Sequence, residues 1–213
     1  MGQYYMPAVI DTKRHICRYL YSHEYDNGLK LMEHSYIGNA FVNAVQSQIL
    51  DNPMQVAWIG DYSRDRFHDP YESILPRKKF LRIWNRCWKD GHEDEDQHFK
   101  IKPDPIGGFD MEHIDGWYLV NHSKKTFIDL AAYAARNKWH EEGEWRKEHY
   151  SYDMCIHPLP LLTACGNGRG GGDYYANNPD FDEVGSWAFD VIELTRSKPE
   201  GYEPVMYHFK EVG

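Results

Sequence analysis

The chain has 213 residues, 41% hydrophobic and 27% charged, a globular composition long enough for one large domain or two small ones. Its net charge of −9, from 24 basic and 33 acidic residues, argues against direct nucleic-acid binding, which needs Lys and Arg against phosphate. No run of eighteen apolar residues is present, so no membrane span is expected, and Met1-Gly2-Gln3-Tyr4-Tyr5-Met6-Pro7 lacks the basic and apolar regions of a signal peptide.

A cytoplasmic protein is therefore expected. The acidity suits plain solubility, or a surface that occupies another protein's basic groove. The high aromatic content of 15% suits a tightly packed β core or a surface that stacks ligands. The four cysteines, Cys17, Cys87, Cys155 and Cys165, form no CxxC pair, so buried thiols are expected rather than a redox motif or zinc knuckle.

Residues 3–20 read as a β-hairpin, turning through Asp11-Thr12-Lys13-Arg14, and Pro7 predicts an edge position or a bulge. Gly28 to His34 reads as a short helix. Phe41, Val42, Val45 and Ile49 make one apolar stripe of a clearer helix, with Asn39 as N-cap and Asp51-Asn52-Pro53 as the stop. Residues 54–60 read as a mostly buried strand. Residues 77–89 are amphipathic, with Phe80, Leu81, Trp84, Cys87 and Trp88 on one side and basic residues covering most of the rest. The acidic run His92-Glu93-Asp94-Glu95-Asp96-Gln97-His98 follows. Residues 99–116, rich in Pro, Gly and Asp, read as a linker or long loop.

The second half then resembles the first. Residues 117–120 and 126–130 read as a second hairpin, residues 130–138 as a helix, and 185–192 matches 56–62, pairing Trp58 with Trp187 and Asp61 with Asp190. The order predicts an α+β, β-rich single domain of mostly antiparallel sheet, built from two pseudo-repeated hairpin–helix–strand units. Residues 1–62 form the first unit, 63–116 an insertion, and 117–213 the second unit with a glycine-rich loop.

That loop, Gly166-Asn167-Gly168-Arg169-Gly170-Gly171-Gly172-Asp173-Tyr174-Tyr175, is the main candidate ligand site. Without Cβ atoms, backbone amides can approach an anion closely, and Arg169 can add a bidentate contact. Gly168, Arg169, Gly170, Gly171 and Asp173 are the residues expected to bind. No Gly-Lys-Ser/Thr ending follows, so this is not a P-loop, and Asn177-Asn178-Pro179 does not open a helix as a dinucleotide fingerprint would. A tight structural loop is the competing reading.

Weaker candidates for catalysis are Asp61 and Asp190 as paired carboxylates, and Cys165 with His157 as a nucleophile–base pair. Against these stand strand-end aspartates that accept backbone N–H bonds, and a buried structural cysteine. His23, Asp26, Glu33 and His34, or the acidic run with His92 and His98, could supply metal ligands. Neither has HExxH or calcium-loop spacing, so no metal and no cofactor is expected.

Several stretches carry a likeness: Met1-Gly2-Gln3-Tyr4-Tyr5, residues 28–35, Trp58-Ile59-Gly60-Asp61-Tyr62, residues 120–125, His157-Pro158-Leu159-Pro160-Leu161-Leu162-Thr163, the glycine-rich segment and Gly185-Ser186-Trp187-Ala188. Together they resemble a family of uncharacterised proteins of phages, bacteria and some protists. The resemblance brings no activity with it. For a phage-encoded member, it implies host cytoplasm as the setting and counter-defence as a role. With no complete catalytic motif, a non-enzymatic binding protein is the leading expectation. It would sequester an anionic nucleotide-like ligand or block a host protein such as a nuclease; the alternative is a hydrolase acting on a nucleotide-like substrate.

Overall fold

The computed structural model describes residues 3–11, 16–61, 106–108, 111–137, 155–166, 170–171, 174–175 and 183–209. The basic segment 77–89 and the acidic run 92–98 lie outside the described residues.

The first hairpin forms as its alternation demands: β1 (Tyr5–Asp11) pairs antiparallel with β2 (Ile16–Tyr19), Ala8 opposite Tyr19. A short 3₁₀ turn at Ser22–Tyr25 and the four-residue α1 (Leu31–His34) follow. Then α2 (Ala40–Gln48) begins at Asn39, whose side chain accepts from the backbone N–H of Phe41 (2.9 Å) and Val42 (3.4 Å). It ends just before Asp51-Asn52-Pro53 and leads into β3 (Met54–Gly60). The second half gives α3 (Met111–Ile114), the hairpin β4 (Tyr118–Asn121) and β5 (Thr126–Asp129), then α4 (Leu130–Asn137). After these come α5 (Pro158–Leu162), β6 (Ala164–Cys165), the small ladder β7 (Gly170–Gly171) and β8 (Tyr174–Tyr175), β9 (Val191–Thr195) and β10 (Glu203–Pro204).

Eight strands form one sheet in the order β10-β5-β4-β9-β3-β1-β2, with β6 also on β3. Among the named strands of the described residues, β10 on β5 and β6 on β3 are parallel and the other pairs antiparallel, so the fold is α+β with a mostly antiparallel sheet. One side of β3 is taken along its length by β1, so β9 (at Met54 and Gln55) and β6 (at Trp58 and Ile59) share the other side in succession.

Alternation along the strands assigns the two faces. Val9, Val56, Trp58, Leu119, Ile192 and Leu194 face the helices and join Phe41, Val45, Ile49, Leu130, Tyr133, Leu159 and Leu162 in the main core. Met6, Ala8, Ile10, Ala57, Ile59 and Cys165 form a smaller buried cluster on the opposite face. Burying apolar area on this scale is the main favourable term in folding.

Three expectations change. Pro7 lies on an interior strand, not an edge. It is tolerated because β2 pairs only with Ala8–Asp11, and the facing Trp58 N–H is spent on the Thr163 carbonyl, so no ladder bond needs a proline N–H. Residues 106–116 are not merely linker: Ile106 and Ile114 are buried in the main core. The predicted repeat pairs residues that are not equivalent. Trp58 lies inside β3, whereas Trp187 sits in the turn ahead of β9. Each hairpin does lie beyond a single strand, β2-β1-β3 and β5-β4-β9. The order of connections recurs, but the matched tryptophans and aspartates do not carry a duplication.

Candidate functional site

Two places on the sheet bring polar side chains together. The first is the corner where β1 begins and β3 ends. Gln3 is buried there, and its Oε1 accepts from the Tyr5 hydroxyl at 2.8 Å. Its Nε2 is buried and has no hydrogen-bond partner among the described residues. The Gln3 carboxamide is wedged between two glycines. A Cβ on Gly60 would come within 2.5 Å of Gln3 Nε2, and one on Gly166 within 2.5 Å of the Tyr5 hydroxyl and 2.6 Å of Gln3 Oε1. A side chain at either position would therefore displace the Gln3 carboxamide or the Tyr5 hydroxyl. From this corner the glycine-rich segment departs, because β6 carries the chain alongside β3 to Gly166.

Gly170 and Gly171 lie in an antiparallel ladder with Tyr175 and Tyr174. Tyr174 is buried, edge-on to Phe209. Gly168, Arg169 and Asp173 lie outside the described residues. Part of the expected anion loop is thus a β-ladder, whose backbone bonds compete with those that would hold an anion.

Asp61 belongs to the same corner and behaves as a strand-end acceptor. Its Oδ1 accepts from the Tyr4 N–H at 3.2 Å while its own N–H bonds the Tyr4 carbonyl. Asp190 lies elsewhere. Its carbonyl accepts from Val56 N–H, five residues before Asp61, which is ~16 Å of strand. The structure does not bring the two carboxylates to one site.

His157 and Cys165 also stand apart. His157 caps α5, Nδ1 accepting from Leu159 N–H at 3.1 Å, and its Nε2 meets the Gln46 carboxamide at 2.8 Å. Because Nδ1 accepts, Nε2 carries the proton and the amide must present its oxygen. Burial lowers His157 to about 3, so it is neutral. Cys165 packs in the smaller cluster, on the other side of the sheet from the main core.

His34, a candidate metal ligand, is instead a core residue. Nδ1 donates to the Gly28 carbonyl (3.0 Å) and Nε2 accepts from Trp58 Nε1–H (3.0 Å). Burial pushes it down to about 4, against the pull of the Gly28 bond. Glu33 and Asp26 are exposed, and Glu33 accepts from the Lys30 N–H. Among the described residues no group of three or more His, Cys, Asp or Glu is placed to hold a metal.

The second place was not singled out from the sequence. At the turn joining β4 and β5, His122 lies between Glu193 on β9 and Tyr202 ahead of β10. Nε2 is 2.8 Å from Glu193 Oε2, and Nδ1 is 2.9 Å from the Tyr202 hydroxyl. The partners are 71 and 80 residues away, so no local spacing could signal them. Asn121 steadies the turn: Oδ1 accepts from Lys124 N–H (3.0 Å), and Nδ2 donates to Asp190 Oδ2 (2.8 Å). Asp190 Oδ2 also lies 3.9 Å from Lys124 Nζ.

Set against family models, curated proteins and solved structures, the chain matches none of them. No helix among the described residues is long and apolar enough to cross a membrane.

Proposed function

We propose that this is a binding protein that holds an anionic, nucleotide-like ligand at the corner formed by Gln3, Tyr5, Gly60 and Gly166. The observation that supports it is the Gln3 carboxamide. A buried N–H donor without an acceptor costs ~1–3 kcal/mol, a cost that a ligand oxygen would remove. The glycine-rich segment leaves from the same corner, and Arg169 follows Gly166 by three residues in the sequence. As a residue type, arginine carries the positive charge and planar donor fork that an anion needs. In a phage setting, such a protein would remove a host nucleotide signal.

Calorimetric titration with a panel of linear and cyclic nucleotides tests this. One member should bind saturably at one site per chain. Arg169→Ala should weaken it by ~10–100-fold, as loss of a charge-assisted bond does, and Gln3→Leu by several-fold. Binding to none of the panel, or unchanged affinity in Arg169→Ala, would overturn the reading. The alternative of a hydrolase gains nothing from Asp61 and Asp190. Its support comes from the other half of the sheet.

A further inference from the structure

We propose that Tyr202, His122 and Glu193 form a nucleophile–base–orienter site that acts on phosphate esters. This goes beyond ligand binding and does not depend on the Gln3 corner.

The proton positions follow from the contacts. Ionised Glu193 can only accept, so His122 Nε2 carries the proton that bonds it. In the neutral imidazole Nδ1 then presents a lone pair, to which the Tyr202 hydroxyl, 2.9 Å away, donates in the proposed site. A hydroxyl aimed at a base, with the base held by a carboxylate, is the arrangement that activates a weak nucleophile. Burial does not force this pairing. His122 and Glu193 side chains are 28% and 17% exposed, and Tyr202 is half-buried, so water could satisfy all three. Fixing three side chains instead costs rotamer entropy.

The backbone holds the geometry rigidly. The His122 N–H bonds the Val191 carbonyl (2.8 Å), and the Glu203 N–H bonds the Lys125 carbonyl (3.0 Å), so both ends of the chain are anchored to sheet strands. The His122 and Tyr202 rings meet edge to face at 5.6 Å.

The substrate class follows from the neighbouring charges. Lys124 and Lys125, both exposed, lie on the same turn as His122, with Asn121 and Asp190 fixing that turn. Two exposed lysines on the turn that carries the base, Lys124 with its Nζ 3.9 Å from Asp190 Oδ2, favour an approaching electrophile that carries negative charge, as a phosphate ester does. In the step, the Tyr202 proton passes to His122 Nδ1 as the Oη–P bond forms. The bond from phosphorus to the leaving oxygen breaks, and that oxygen takes the proton from His122. Water then attacks the phosphotyrosyl ester by the reverse route and restores the tyrosine.

Rapid mixing of the full chain with bis(p-nitrophenyl) phosphate reads this directly. The expected result is a burst of one equivalent of p-nitrophenol per chain, with the phosphoryl group mapped to Tyr202 by mass spectrometry. Tyr202→Phe, which keeps the ring, should abolish the burst while leaving the circular dichroism spectrum unchanged. His122→Gln should slow it by about a hundredfold. Glu193 is a positioning residue, so Glu193→Gln should lower the burst rate about tenfold without changing the probe concentration at half-saturation. No burst in the wild type, a burst that persists in Tyr202→Phe, or a burst with p-nitrophenyl acetate but not with the phosphate diester would each overturn the proposal.

Discussion

Trp58 shows how much one side chain can organise. Fully buried, it donates from Nε1 to His34 and lies edge-on to Phe41, which in turn meets His34 edge to face at 5.0 Å. The donated bond is what keeps a neutral histidine satisfied inside an apolar core. Trp58→Phe should therefore do more than remove volume. It leaves His34 Nε2 buried with no donor, and an orphaned acceptor costs ~1–3 kcal/mol beyond the cavity. Urea denaturation of this variant should show that loss. His34→Leu in the Trp58→Phe background should recover part of it, because the orphaned Nε2 is then gone, with the single His34→Leu variant measuring what the Gly28 carbonyl loses with its donor. No recovery in the double variant would mean that packing alone accounts for the loss.

At the scale of elements, legibility followed the range of the interactions. The helix at 40–48 could be read because its determinants are local: an apolar stripe, Asn39 before it and Pro53 after it. Both hairpins could be read from extended segments flanking a polar turn, and β3 from its short apolar run, for the same reason. Asn39→Ala should accordingly cost ~1 kcal/mol, since two N–H groups lose their acceptor; Asn39→Ser, which keeps a capping oxygen without setting a carboxylate against Asn27 Oδ1, should cost less, and equal losses by thermal melting would refute the capping argument. Pro7 misled because its tolerance depends on where β2 stops and on Thr163 far along the chain. Trp187 misled because a Trp-x-x-Asp pattern says nothing about whether the residues lie in a strand or in the turn before it. The glycine-rich segment was legible as a place where backbones come close. Its real constraint, the Gln3 carboxamide against Gly60 and Gly166, comes from a residue more than a hundred and fifty positions earlier than Gly166. The His122 chain was not legible at all, since each member is an ordinary polar residue until the sheet assembles.

For the whole molecule, the sheet divides its polar chemistry between faces. His34 and His157 lie under the helices, fully buried and neutral, while His122 stays half-exposed. This division makes the fold sensitive to acid. Both buried histidines have folded values lowered by burial, to about 4 and about 3, against 6.5 in the unfolded chain. The unfolded state thus takes up protons first as pH falls. Their contribution is complete above 6.5 and drains away between there and about 4, where His34 begins to protonate in place, or about 3 for His157. By pH 5 each has cost ~2 kcal/mol, or ~4 together, a large share of ordinary domain stability. Urea midpoints at pH 7.5 and pH 5 should therefore differ markedly in the wild type. His157→Asn removes one titrating group while keeping an oxygen that can cap α5, so it should abolish about half of the pH dependence over this window. An unchanged dependence in that variant would show that His157 is not neutral in the core, and with it that the Leu159 N–H does not bond an unprotonated Nδ1.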